Sequence, residues 1–191
     1  MSKKISICTL GCRVNAYESL AIADSARALG LEVVKWGERA DFAVVNSCAL
    51  TVLAQAKTRR EIRVFARANP DSPIAVTGCY AQTSPEEAAK LPNVLVVAGN
   101  SKKAEVVGML ISADSAKVDV SPAGGKHGAP LSLSSEGFID ERVSLKIQDG
   151  CDNCCSYCII PRARGRPRSR GFDEIMALSL IHISEPTRLA L

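Results

Sequence analysis

The sequence predicts an α/β fold, a doubly wound, mostly parallel sheet over residues 1–112 followed by the opening of a second α/β unit. Three observations predict it. Short β-branched runs at Ile5–Ile7, Val33–Lys35, Phe42–Asn46 and Ile74–Thr77 alternate with longer segments of helical spacing. The runs are predominantly apolar, as in strands covered by helices on both faces. Apolar residues make up 47% of the 191-residue chain, enough for such a core.

The elements follow in order. The stretch from Met1 to Cys12 is too short in apolar residues and too polar for a secretory leader, and no later stretch approaches a membrane span. These features predict a cytoplasmic protein with reduced thiols and no membrane partner. After the first run, Tyr17–Leu29 has helical spacing and stops at Gly30; after the third, Leu53–Ala68 does so and stops at Asn69-Pro70. The next unit has Ser84-Pro85-Glu86-Glu87 as a cap and first turn, a strand at Val94–Ala98 and an amphipathic helix from Lys102 to about Ile111. Ser, Ala, Gly and Pro then dominate, predicting a linker over 113–136. Within the second unit, 137–177, Val143–Ile147 reads as a strand.

A net charge of +4 permits an anionic partner without demanding one. Five arginines between Arg162 and Arg170 supply the excess, and Pro161, Gly165 and Pro167 predict an irregular segment there, a phosphate-binding arm or a solvated basic loop. The long helix carries Lys57, Arg59, Arg60, Arg63 and Arg67. Positions 60, 63 and 67 share a face, which is either solvated or an RNA contact.

Chemistry concentrates in the cysteines. Four of the eight lie in one octapeptide, Cys151 to Cys158. Cys151, Cys155 and Cys158 have C-x3-C-x2-C spacing, which lets one loop bind three corners of an iron–sulfur cubane and leave the fourth iron open. Ferredoxin spacing, which caps every iron, does not fit. Zinc is disfavoured because its two C-x2-C pairs would abut, and disulfides between neighbours would be strained. The other cysteines are dispersed: Cys12, Cys48 and Cys79 each follow a predicted strand, where doubly wound sheets collect ligands. No G-x-G-x-x-G follows the first strand, so a dinucleotide is not expected. Residue type alone leaves open three unrelated buried thiols, because free cysteine is a common core residue. Cys8 is read as strand packing and Cys154 as a bystander.

The run C-x3-C-x-Tyr-C resembles the signature of radical S-adenosylmethionine (SAM) enzymes. Its flanks, Lys146 to Gly150 and Ile159 to Gly165, resemble the methylthiotransferase branch. The segments around Cys12, Cys48 and Cys79 are similar to that family in the same order, and the resemblance spans residues 3–177. It implies two 4Fe–4S clusters, one on Cys12, Cys48 and Cys79 and one on Cys151, Cys155 and Cys158, with Tyr157 beside the adenine of SAM. The resemblance implies that the second unit is the first strand and cluster loop of a truncated radical SAM partial β/α barrel. It implies sulfur insertion and methylation at a C–H bond, with tRNA and an electron-donor protein as partners, and assigns no catalytic residue beyond the cluster ligands. Thr9 to Glu18 and Gly78 to Gln82 look most like the branch acting at C2 of N6-threonylcarbamoyladenosine beside the anticodon. The isopentenyladenosine and ribosomal-protein aspartate branches are the alternatives. From other classes, an iron–sulfur electron carrier and a non-catalytic RNA-binding module remain open.

Residues 178–191 are expected to be a non-native tail. After Ala177 the helical spacing fails, β-branched residues follow, and the text resembles translated sequencing-adapter sequence, so His182 is given no role.

Overall fold

The structure is a computed structural model that describes residues 2–122 and 145–184, with side chains through residue 180. Six strands form one sheet: β1 Lys4–Thr9, β2 Glu32–Val34, β3 Phe42–Ser47, β4 Ile74–Gly78, β5 Val94–Ala98 and β6 Lys117–Asp119. Their order is β2-β1-β3-β4-β5-β6 and every pairing is parallel. The winding reverses between β1 and β3. There the segments leaving the carboxyl ends of β1 and β3 go on to helices on opposite faces, which makes this pair of strand ends the switch point of the sheet.

Helix α1 (Arg13–Ala28) and α5 (Val106–Ile111) cover one face, packing Ile22, Ala26, Val106 and Leu110 on Ile5, Val44 and Val96. On the other face lie α2 (Val52–Ala68), α3 (Cys79–Thr83) and α4 (Pro85–Ala89), with Ile62, Phe65 and Tyr80 against Val45, Val76 and Val97. All six residues of β3 are buried, which is why Phe42–Ser47 carries no solvent-facing alternation. Burial of each such aliphatic side chain contributes roughly 1.5–3 kcal/mol. The predicted doubly wound sheet is therefore present, with boundaries close to those expected. Helix α1 starts at Arg13, ahead of the expected Tyr17, because Cys12 takes the extended N-cap conformation.

Four local expectations are corrected. Strand β6 lies inside the segment expected to be a linker, pairing Val97 with Val118; the part from residue 123 to 136 lies outside the described residues. The strand expected at Val143–Ile147 is displaced: 143 and 144 lie outside the described residues, 145–147 are irregular, and β7 is Gln148–Asp149. It pairs antiparallel with β8, Arg168–Ser169, and still leads directly into the cysteine loop. The arginine-rich run contains a short helix, α6 (Ile160–Arg164), because Pro161 falls in its first turn, where a missing N–H costs nothing. Finally α7 spans Phe172–Ser184 and passes through Leu178 without a break, since β-branched residues lower helix propensity by only tenths of a kcal/mol each, ~0.7 at most. Residues 185–191, with Pro186, lie outside the described residues.

The helix expected from Lys102 to Ile111 begins as a 3-10 segment, Asn100–Glu105, that turns Lys103 inward before α5 takes over. Both sheet edges, β2 and β6, are three residues long and present Glu32 and Lys117 to solvent.

Candidate metal centre at the carboxyl edge of the sheet

Cys12 follows β1 and caps α1, Cys48 follows β3, and Cys79 opens α3 directly after β4. These strands are neighbours, so three thiols distant in sequence share one edge. Cys48 and Cys79 are buried and Cys12 is exposed. Two glycines make the approach possible. At Gly11 (φ +101°) a Cβ would lie 2.6 Å from both Cβ and Sγ of Cys48, and at Gly78 (φ +93°) one would lie 2.4 Å from the Ser47 carbonyl oxygen. Only glycine adopts these conformations without strain while letting the loops close on one another.

Side-chain amides stitch the loops together. Asn15 Nδ2 donates to the carbonyls of Leu10 (2.7 Å) and Ser47 (2.9 Å). Asn46 Nδ2 donates to the Asn15 carbonyl at 2.9 Å, and Ser47 Oγ donates to the Thr77 carbonyl. Such buried bonds fix the loops because losing one strands a desolvated polar group, at about 1–3 kcal/mol.

The second set lies on the irregular loop between β7 and α6. Its base is closed by Cys151 N donating to the Gly165 carbonyl (3.0 Å), with Cys158 N donating to the Cys155 carbonyl (3.1 Å) within it. Cys151 and Cys158 are half-buried, Cys154 and Cys155 exposed, and Tyr157 is 88% exposed. Helix α6 packs on α3: Ala163 is in the core beside Cys79 and Tyr80, and its carbonyl accepts from Asn100 Nδ2 at 2.6 Å. The cysteine loop is therefore fastened to the edge that bears Cys79.

The fastening is ionic as well. Glu18, 2% exposed on α1, accepts from Lys103 Nζ (2.5 Å), Lys146 Nζ (2.5 Å) and Arg164 Nη1 (3.0 Å). Arg164 also donates to Asn15 Oδ1 (2.7 Å) and Asp149 Oδ1 (2.9 Å), and Lys146 to Asp149 Oδ2 (2.7 Å). Burial opposes ionisation of Glu18, but Lys103, Arg164 and Lys146 outweigh it and hold the carboxyl far below its ordinary range. Asp149 is lowered in the same way, against its own burial, by Arg164 and Lys146. Burial pushes Lys103 down, with Glu18 opposing. At Cys79 burial raises the thiol while the Arg164 and Lys103 cations beside it pull the other way. The arginine expected in a phosphate-binding arm or a basic loop is thus, at position 164, a buried link between the two units. Charge type alone gave no signal of this. The spacing Asn15, Glu18, Ile22, Ala26 marks Glu18 alone, by setting its carboxylate on the apolar face of α1, and says nothing of its partners.

Among the described residues no three ligating side chains converge as a closed metal cage. The residues nevertheless suit a soft, thiolate-bound group. Each set offers three free thiols with no competing disulfide, Asn46 Oδ1 and Thr77 Oγ1 lie buried at the edge without partners, and glycine keeps Cβ atoms out of the approach between loops. Cys8 is a core residue, and burial, with Glu61 adding to it, pushes its thiol up to about 12. Among the described residues no helix is long and apolar enough to cross a membrane.

Comparison with known proteins matches residues 4–99 to the family described as Uncharacterized protein family UPF0004. The chain is similar to the threonylcarbamoyladenosine tRNA methylthiotransferase MtaB of Bacillus subtilis (strain 168), 41% identical over 174 residues, covering 88% of this chain and 38% of the relative. It is 32% identical to a tRNA-2-methylthio-N(6)-dimethylallyladenosine synthase of Novosphingobium aromaticivorans, over 91% of this chain and 40% of the relative. The ribosomal protein uS12 methylthiotransferase RimO of Dictyoglomus thermophilum is 33% identical, with the same coverage of 91% and 40%. The chain thus spans about two fifths of the length of the curated relatives it matches.

Proposed function

Because the chain belongs to the UPF0004 family and its relatives are methylthiotransferases, we propose that it is part of a tRNA methylthiotransferase with two 4Fe–4S clusters, one per three-cysteine set. One observation supports this above the rest: Cys12, Cys48 and Cys79 follow three neighbouring strands, and the loop that carries Cys151, Cys155 and Cys158 is tied to that unit by Arg164, which bridges Glu18 of the first unit and Asp149 of the second. Cys12, Cys48 and Cys79 would hold one cluster, and Cys151, Cys155 and Cys158 the other. With SAM bound, the clusters supply reductive cleavage of SAM and the sulfur that is transferred.

The chain's own residues bind and orient. Lys103 and Arg164 beside Cys79 offset the negative charge that three thiolates bring to a partly buried edge. Tyr157, exposed on the loop, would sit beside the adenine of SAM. The Glu18 cluster holds the loop's exit against α1, so the two centres keep a fixed relation. The substrate is N6-threonylcarbamoyladenosine in tRNA, supported by 34–41% identity to enzymes named for it against 31–33% for the other two branches. An electron-donor protein of the cytoplasm completes the system.

Anaerobic reconstitution with iron and sulfide tests the reading. Ala at Cys151, Cys155 and Cys158 should leave about half the bound iron, and Ala at Cys12, Cys48 and Cys79 the other half, by the two-centre stoichiometry. Loss of iron in Cys154→Ala with retention in Cys155→Ala would overturn the ligand assignment.

A further inference from the structure

Helix α2 starts four residues after Cys48, at the edge that bears the thiols, and runs away from it. Its acid, Glu61, is turned inward to accept from Trp36 Nε1 at 2.9 Å, and Arg59 is drawn over Tyr80 toward Glu87. What faces solvent is Lys57, Arg60, Arg63 and Arg67, and none of the four makes an ion pair among the described residues. Leu53, 82% exposed, leads the row: positions 53, 60 and 67 recur every seven residues and lie almost on one line.

Such a face is costly to keep. The pairs 57/60, 60/63 and 63/67 are i,i+3 or i,i+4 neighbours of like charge, each of which destabilises the helix. An ordinary solvated helix face would intersperse acids. The four cations span eleven residues, about 15 Å of helix, along which a nucleic-acid strand presents on the order of four phosphates. Three of the four are arginine, whose planar fork suits phosphate oxygens.

We propose that the outer face of α2 is a docking surface for the phosphate backbone of the substrate RNA. The backbone runs along Lys57, Arg60, Arg63 and Arg67, with Leu53 placed to meet an unpaired base where the helix reaches the thiol edge. The identity of the polyanion rests on the methylthiotransferase reading; the surface itself rests on charge and geometry.

The test is fluorescence anisotropy of a labelled RNA stem-loop titrated with the 191-residue chain at several salt concentrations between about 50 and 200 mM. The double variant Arg60→Glu/Arg63→Glu should weaken binding by roughly 10- to 100-fold and flatten the log–log salt slope by about two, because two phosphate contacts are lost. Its Tm should rise by about 2 °C, since the pairs 57/60 and 63/67 turn from repulsive to attractive while 60/63 stays like-charged. The same charge change at exposed Lys90 and Lys117, off this face, should leave RNA binding unaltered. Wild-type-like RNA affinity in the α2 double variant, or no RNA binding by the wild type at the lowest salt, overturns the proposal. So does equal competition by polyglutamate, which would assign an acidic protein partner. Iron loading is read separately on the same samples: missing iron sinks the cluster reading whatever the RNA titration shows, and a failed RNA titration leaves the iron result standing.

Discussion

Glu18 is the residue on which the two units turn, and its substitution has a definite cost. Glu18→Gln keeps the shape but leaves Lys103, Lys146 and Arg164 facing one another with only Asp149 to compensate. Breaking a buried ion pair from one side costs roughly 3–5 kcal/mol, a large share of the stability of an ordinary domain. Chemical denaturation at pH 7 should show a loss of that size. The loss should shrink in acid. As pH falls through about 4–5 the unfolded carboxyl takes a proton while the folded Glu18, lowered by its three cations, does not. The unfolded state then binds more protons, so wild-type stability falls toward that of the variant; a difference that stayed constant from pH 7 to pH 3 would contradict the assignment. Gly11 makes a second, steric case. Gly11→Ala would press a Cβ into Cys48 at 2.6 Å in a left-handed conformation, so we expect a loss of on the order of 1–3 kcal/mol with reduced iron binding on reconstitution. Gly11 and Gly78 could be picked out beforehand because each directly precedes a cysteine after a strand. The ion cluster could not, because Lys103, Lys146 and Arg164 read as ordinary surface charge until the fold brings positions 85, 128 and 146 residues from Glu18 against it.

Helix α2 shows how an element's end serves the centre beside it. Thr51 accepts from the Ala54 amide at 3.0 Å and caps the helix three residues after Cys48. Thr51→Ala should cost about 1 kcal/mol and fray the first turn. Hydrogen exchange would show it as faster exchange at residues 53–55 with the C-terminal turns unchanged. Elements marked by a continuous apolar run or by sustained helical spacing were readable: β3, β4 and α2 lie within a residue of their expected limits. Short ones were not, for separable reasons. β6 has three residues and pairs with β5 alone among the described strands, so its own text, flanked by serine and aspartate, looks like linker. At α6 proline was taken for a breaker when its place in the first turn makes it a starter. In α7 two β-branched isoleucines suggested an end at Leu178, yet their small intrinsic penalty does not stop a helix already under way from Phe172.

Across the whole molecule, the cysteine loop and the sheet behave as one body at their junction. Lys146, Asp149, Arg164 and Ala163 all reach residues of the first unit or the cluster around Glu18, so Glu18→Gln should loosen the later segment before the sheet. Limited proteolysis should cut within 150–165 in the variant while 42–47 and 74–78 stay protected; simultaneous loss of both would argue against a separable clamp. The parallel sheet was predictable from the alternation of strands and helices, since parallel strands need long crossovers, although β2 reaches β3 through residues 35–41 without a helix. The packing of the cysteine loop's exit onto the sheet was not, since it depends on α6 packing on α3 across some 80 residues of intervening chain, and no periodicity records that. The sheet's outer strands carry one more implication. Parallel sheets that end in long, bare strands invite another molecule to add on. Here β2 and β6 offer three residues each, with Glu32 and Lys117 standing at them, so a neighbouring chain would gain a few hydrogen bonds at most while confronting a charge at either side. Concentrated solutions of this protein should therefore resist fibril formation seeded from the sheet, and aggregation, where it occurs, should begin from thiol oxidation at the exposed Cys154 and Cys155 and be abolished by reductant.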